Sequence, residues 1–121
     1  MDDNSPQIAY AGRWRLKSNA VAYGGQYHSA TLRTASASFT INGTQFTWIA
    51  ARGRAYGKAQ VIVDGTARAT VDLCNSTTQW QYNVPITGLT AGTHSVKIKA
   101  LGTHNAACIG NTIVFDGYSV P

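Results

Sequence analysis

The chain has 121 residues, 44% of them hydrophobic, which is one domain's worth of length with enough apolar content for a core and excludes a disordered chain. Only 12% of residues are charged and Glu is absent, so strong helix formers are scarce on any solvated surface, which argues against a helical protein. Ten Lys and Arg against five Asp give a net charge of +5, which favours acidic partners, but no block of consecutive basic residues supports nucleic-acid binding and no apolar run approaches the roughly 18 residues of a membrane span.

Residues 1–7 carry neither the basic nor the apolar region of a signal peptide and are expected to form a flexible N-terminal tail. Residues 8–121 read as a single module. Trp14 and Leu16 alternate with Arg13, Arg15 and Lys17, which predicts a strand with one apolar and one basic face. Ser18–Gln26 is a predicted loop around Gly24-Gly25, and Tyr27–Leu32 a weaker strand. Phe39 and Ile41 alternate with Ser38 and Thr40, Asn42-Gly43 signals a hairpin, and Phe46, Trp48 and Ala50 line the returning strand. Ala59, Val61 and Val63 lead to a second hairpin signal at Asp64-Gly65, followed by Ala69, Val71 and Leu73. Trp80, Tyr82 and Val84 alternate next, then His94, Val96, Ile98 and Ala100, and the last strand is predicted over Thr112–Val120. Eight or nine short strands without a helix predict an all-β antiparallel sandwich or jelly roll.

Counting directions along an antiparallel run from Ser38 sorts the connections into two ends. The turns at Asn42-Gly43 and Asp64-Gly65 and the segment Pro85–Gly92 fall at one end. The loops Arg52–Gly57, Cys74–Thr78 and Gly102–Gly110, rich in Arg, Tyr, Asn and His, fall at the other. Binding residues concentrate on loops of this kind when a rigid scaffold presents them. Cys74 and Cys108 share that end, so a disulfide between them is geometrically sound, the alternative being two separate buried thiols. A disulfide implies an oxidising compartment, hence secretion.

Tyr10-Ala11-Gly12-Arg13-Trp14, Gly24-Gly25-Gln26-Tyr27, Gly43 to Trp48, Tyr56-Gly57-Lys58-Ala59-Gln60-Val61-Ile62-Val63-Asp64-Gly65, Thr70-Val71-Asp72-Leu73, Gly88-Leu89-Thr90-Ala91-Gly92-Thr93-His94, Gly102-Thr103-His104-Asn105 and Val114-Phe115-Asp116 follow one another in the chain. In this order they resemble the galactose-binding-like jelly-roll modules appended to secreted bacterial polysaccharide-degrading enzymes. The resemblance implies a jelly roll, an extracellular location, non-catalytic carbohydrate binding and fusion to a catalytic domain. Related modules hold a structural calcium near the chain ends through acidic residues of the first and last strands. Here Asp116 is the candidate ligand, with Asp2 and Asp3 in the tail.

Sugar recognition needs aromatic faces to stack on pyranose rings and planar polar groups to pair with hydroxyls. The loop-end candidates are Arg52, Arg54, Tyr56, Gln79, Trp80, His104 and Asn105. All but Gln79 have a plainer reading: Tyr56 and Trp80 as packing residues, the arginines as solvated surface, His104-Asn105 as a turn. Trp14 and Trp48 sit on apolar stripes and are expected in the core, and His94 is expected to support the turn before it. Arg13, Arg15 and Lys17, like Lys97 and Lys99, read as solvated strand faces. Catalysis is not expected, because neither a GxSxG nor an HExxH motif occurs and Asp64, Asp72 and Asp116 form no evident acid pair. The sequence thus predicts a carbohydrate-binding module that tethers a larger secreted protein to a glycan, with a structural or adhesion domain as the alternative.

Overall fold

The computed structural model describes residues 8–18, 26–31 and 35–120, so the expected tail over residues 1–7 and the Gly24-Gly25 loop lie outside the described residues. Among the described residues eleven strands follow in chain order: β1 (Ala9–Ala11), β2 (Arg15–Ser18), β3 (Gln26–Ala30), β4 (Ser36–Asn42), β5 (Phe46–Arg52), β6 (Lys58–Val63), β7 (Thr66–Asp72), β8 (Gln79–Ile86), β9 (Thr93–Ala100), β10 (Ile113–Phe115) and β11 (Gly117–Ser119). All named pairings are antiparallel. One layer is a five-stranded sheet ordered β1-β4-β9-β6-β7. The other is made of the abutting sheets β10-β3-β2 and β11-β5-β8. The all-β sandwich predicted from alternation is therefore the fold.

The period of two explains the core. Phe39 and Ile41 of β4, Val61 of β6 and Val96 and Ile98 of β9 are buried from one layer. Phe46 and Trp48 of β5 meet them from the other, with Phe115 and Tyr118. Phe39 bridges the layers: its ring stacks on Tyr118 at 4.0 Å and lies 5.7 Å from both Phe46 and Phe115. Such pairs contribute about 0.5–1.5 kcal/mol each beyond their buried area. Trp48 is fully buried, as its stripe predicts. Trp14 is half-buried at the edge of the core, with its Nε1–H shared between the carbonyls of Ala11 and Ser36.

Two expectations need correction. Asn42-Gly43 does not close a hairpin, because β4 and β5 lie in different layers. Both strands still bury their apolar faces in one core, and the connection crosses between layers with the Gly43 amide donating to the Gly92 carbonyl at 2.9 Å. Asp64-Gly65 is a true two-residue hairpin: both residues have positive φ, 52° and 80°, as a type I′ turn requires, and Val63 pairs with Thr66 across it. The last strand is also not continuous. It breaks at Asp116, where Gly117 has φ 148° and the chain leaves β3 to pair with β5. That break and the short β1 account for more strands than the eight or nine expected.

Layer-crossing connections reverse direction just as hairpins do, so the sorting into two ends holds. At the turn end the Leu89 amide donates to Thr44 and the Asp64 amide to Ser95. At the loop end the Gly53 amide donates to Leu73, Gly57 to Thr112 and Ile109 to Arg54. Gly57 and Gly110 permit this interleaving: a Cβ on Gly57 would lie 2.5 Å from the Thr103 carbonyl oxygen, and one on Gly110 would collide with the Ala55 carbonyl.

Candidate functional site

The loop end is pinned by a disulfide between Cys74 and Cys108, with Cα atoms 5.8 Å apart. Gly53 is bridged to Cys74, and Tyr56 to Thr112, so the loops after β5, β7 and β9 form one rim. Asp72, at the end of β7, adds a second fastening. Its carboxylate accepts from the Cys74 amide at 2.9 Å and from Asn105 Nδ2 at 3.0 Å. Partial burial opposes its charged form, but these bonds and nearby Lys58 outweigh that and hold its pKa below the ordinary value.

The seven predicted residues reach this end but do not form one cluster. Arg52 and Gln79 are cross-strand partners, and Arg52 Nε donates to Gln79 Oε1 at 2.6 Å. The Arg52 guanidinium also lies 4.3 Å over the Tyr82 ring, a residue read from the sequence only as strand. A bulge makes this possible. Ala50 pairs with Tyr82 but Arg52 with Gln79, so Trp80 and Gln81 together oppose Ala51, with Gln81 at φ 51°. The extra residue brings Gln79 and Tyr82 to the same face. The Nη groups of Arg52 are left as hydrogen-bond donors at the rim.

Trp80 follows Gln79 in the strand and therefore leaves that face. Its ring meets Tyr27 of β3, with centroids 4.8 Å apart. The Tyr27 hydroxyl has a raised pKa, through burial first and then the charge of Asp116. Tyr56 is half-buried against the core, and its pKa is raised by burial and then by Tyr27. Tyr56 thus packs under the loop against the core, in the neighbourhood of Tyr27.

The third loop divides too. Asn105 is spent internally, since its Nδ2 donates to Asp72 and its Oδ1 accepts from the Ala107 amide at 3.0 Å. It fastens the loop. His104 is exposed and bonds through Nδ1 to Asn111 Oδ1, so Nε2 is the ring nitrogen not used in that bond. Arg54 is exposed, with its carbonyl held by the Ile109 amide. Ile109, which the sequence did not single out, is 77% exposed between Cys108 and close-packed Gly110.

Asp116 is completely buried between β10 and β11. Among the described residues no group of three His, Cys, Asp or Glu side chains is gathered to hold a metal ion. Asp2 and Asp3 lie outside the described residues.

No family model matches the chain. The chain is 27% identical over 119 residues to an A type blood N-acetyl-alpha-D-galactosamine deacetylase of Flavonifractor plautii, covering 98% of this chain and 14% of that enzyme. It thus spans about one seventh of that relative's length. Among solved structures, a Paenibacillus xanthan lyase superposes with TM-score 0.69 at 16% identity, over 92% of this chain and 12% of the lyase. A family 35 carbohydrate binding module from Clostridium thermocellum superposes with TM-score 0.65 at 12% identity, over 98% of this chain and 95% of the module. One similarity is to a free-standing module almost end to end, while the others are to small parts of large enzymes. The chain accordingly shares the fold of that carbohydrate binding module.

Proposed function

We propose that this domain binds a glycan at its loop end and carries no catalytic machinery, serving as a module of a larger secreted protein that acts on carbohydrate. The observation that carries the reading is the fixed guanidinium of Arg52. Tyr82 supports its plane and Gln79 takes its Nε, so its remaining donors stand preorganised on a rim that the disulfide ties together. Arg52, Gln79 and His104 supply hydrogen bonds to sugar hydroxyls, Arg54 adds charge at the rim, and Trp80 with Tyr27 offers an aromatic flank. Asn105 shapes the rim through Asp72. The fit to a binding module over nearly its whole length supports the reading, as does the small share of the matched enzyme that the chain spans. The disulfide supports secretion.

The geometry of the chain ends suits such a role. β1 starts opposite Ser38 and β11 ends opposite Thr47, so Ile8 and Val120 both emerge toward the turn end. Because the relative above acts on an N-acetyl-α-D-galactosamine sugar, neutral glycans of galactose type are the first probes. Titration calorimetry with such glycans tests the reading. Arg52→Ala is expected to weaken binding about tenfold or more, as loss of a charged hydrogen-bonding group does, and Trp80→Ala several-fold, with unfolding midpoints close to wild type. Unchanged affinity in both variants would overturn the assignment, and no binding to any glycan would favour a structural or adhesion role.

A further inference from the structure

The carboxylates of the described residues are engaged by neighbouring groups of the chain or buried. Asp64 engages His94 and the Ser95 amide, Asp72 engages Asn105 and the Cys74 amide, and Asp116 is buried. The cations are not balanced in the same way. Arg13, Arg15, Arg54, Lys97 and Lys99 are exposed, and the ion pair present among the described residues, His94 with Asp64, involves none of them. The outer surface therefore carries positive charge that no described acid cancels.

Two of these cations share a shaped surface. Lys97 and Lys99 lie on β9, the central strand of the five-stranded sheet, and alternate with buried Val96 and Ile98. Both thus point away from the core, about 7 Å apart along the strand. On the β4 side Lys99 is flanked by Ser36 and Lys97 by Ser38. Beyond them β1 places exposed Ala11 beside Ser36 and exposed Ala9 beside Ser38. The result is a low shelf of small side chains with hydroxyls along its inner edge, next to a ridge of two lysines.

We propose that the outward face of the five-stranded sheet binds an anionic polysaccharide strand, laid on the Ser36–Ser38 shelf along the Lys97–Lys99 ridge. This rests on the carbohydrate-binding reading and adds a second surface to the loop end. The lysines pair with carboxylates or sulfates of the polymer, and the serines with its hydroxyls. The shelf and ridge carry no aromatic side chain on which a nucleic-acid base stacks. They also lack the aromatic or Arg anchors of a protein–protein hot spot.

Affinity electrophoresis of the full chain through polygalacturonate, with neutral galactan and polyuridylate in parallel gels, tests the proposal at about 50 and 300 mM salt. Polygalacturonate is expected to retard the wild type, more strongly at low salt. Lys97→Ala/Lys99→Ala weakens that retardation about tenfold and flattens its salt dependence, while Arg15→Ala, which removes an exposed charge from β2 in another sheet, leaves it nearly unchanged. Equal retardation of wild type and double variant would overturn the proposal, as would an equal loss in Arg15→Ala alone. Equal retardation by polyuridylate would reduce the effect to charge and overturn it too. If neutral glycans fail to bind while lysine-dependent polygalacturonate binding persists, the loop-end reading fails and the sheet-face site stands.

Discussion

Removing the disulfide should cost much of the domain's stability and loosen one end of it selectively. Cys74 and Cys108 are 34 residues apart in sequence. Closing a loop of that size removes denatured-state entropy equivalent to about 3.8 kcal/mol in the chain-entropy treatment. For a chain of 121 residues, unfolding entropy of roughly 2.1 cal/mol/K per residue converts this to a fall of about 15 °C in unfolding midpoint. Cys74→Ala/Cys108→Ala is the cleaner perturbation, because Cys108 is buried with its Sγ 3.4 Å from the Gly53 carbonyl and a serine there would bury a hydroxyl. Thermal unfolding gives the global number and hydrogen exchange the local one. The Cys108 and Ile109 amides, which donate to Asn105 and Arg54, should exchange much faster under native conditions. Amides of β4 and β9 should remain the slowest. The Asp72 carboxylate still ties Cys74 to Asn105, so the rim should loosen without dispersing. A midpoint shift below about 4 °C, or exchange that quickens equally in β4 and at the rim, would refute the reasoning.

The turn end should be sensitive to pH. Both ring nitrogens of buried His94 face acceptors at 2.6 Å, the Asp64 carboxylate and the Thr90 carbonyl, so the imidazolium satisfies both, and these bonds raise its pKa in that order. Stability from a raised histidine pKa is fully present below the ordinary value of about 6.5 and is lost as pH rises through the folded value. Asp64, whose pKa is lowered by His94 and then the Ser95 amide, contributes stability above about 3.9 that is lost as pH falls through its folded value. The unfolding midpoint should therefore decline as pH rises above the ordinary histidine value of about 6.5, and His94→Gln should remove that decline; parallel profiles for the two proteins would contradict the assignment. Gly57→Ala should destabilise by about 1–3 kcal/mol in urea, because its Cβ would press on the backbone of Thr103 and Asn111. An unchanged urea midpoint would mean that the loops yield freely.

Alternation made most strands legible, because each buries one face only: Phe39 and Ile41, Val61 and Val63, Val96 and Ile98 all face the core as their spacing requires. The gathering of Cys74 and Cys108 at one end followed from counting reversals, which hairpins and layer crossings share. What the sequence hid was the identity of each partner strand. Asn42-Gly43 marks a reversal but does not say whether the next strand pairs with the last or joins the other layer. The bulge at Trp80 and Gln81 was equally hidden, since a glutamine at φ 51° carries no glycine-like signal. Without it Tyr82 shares a stripe with Trp80 and the support of Arg52 by Tyr82 is invisible. Asn105 read as a ligand residue because its internal partner, Asp72, comes from a strand 33 residues earlier. Tyr27 escaped notice because it meets Trp80 only through tertiary packing.

The central claim is that glycan binds at the loop end. Amide chemical-shift mapping of the isotopically labelled chain, titrated with a panel of neutral galactose-type glycans, tests it most directly. The account predicts saturable shifts at Arg52, Arg54, Gln79, Tyr82 and His104, with Asp64, Thr90 and His94 at the far end unmoved. Shifts confined to the turn end, or none with any member of the panel, would contradict it.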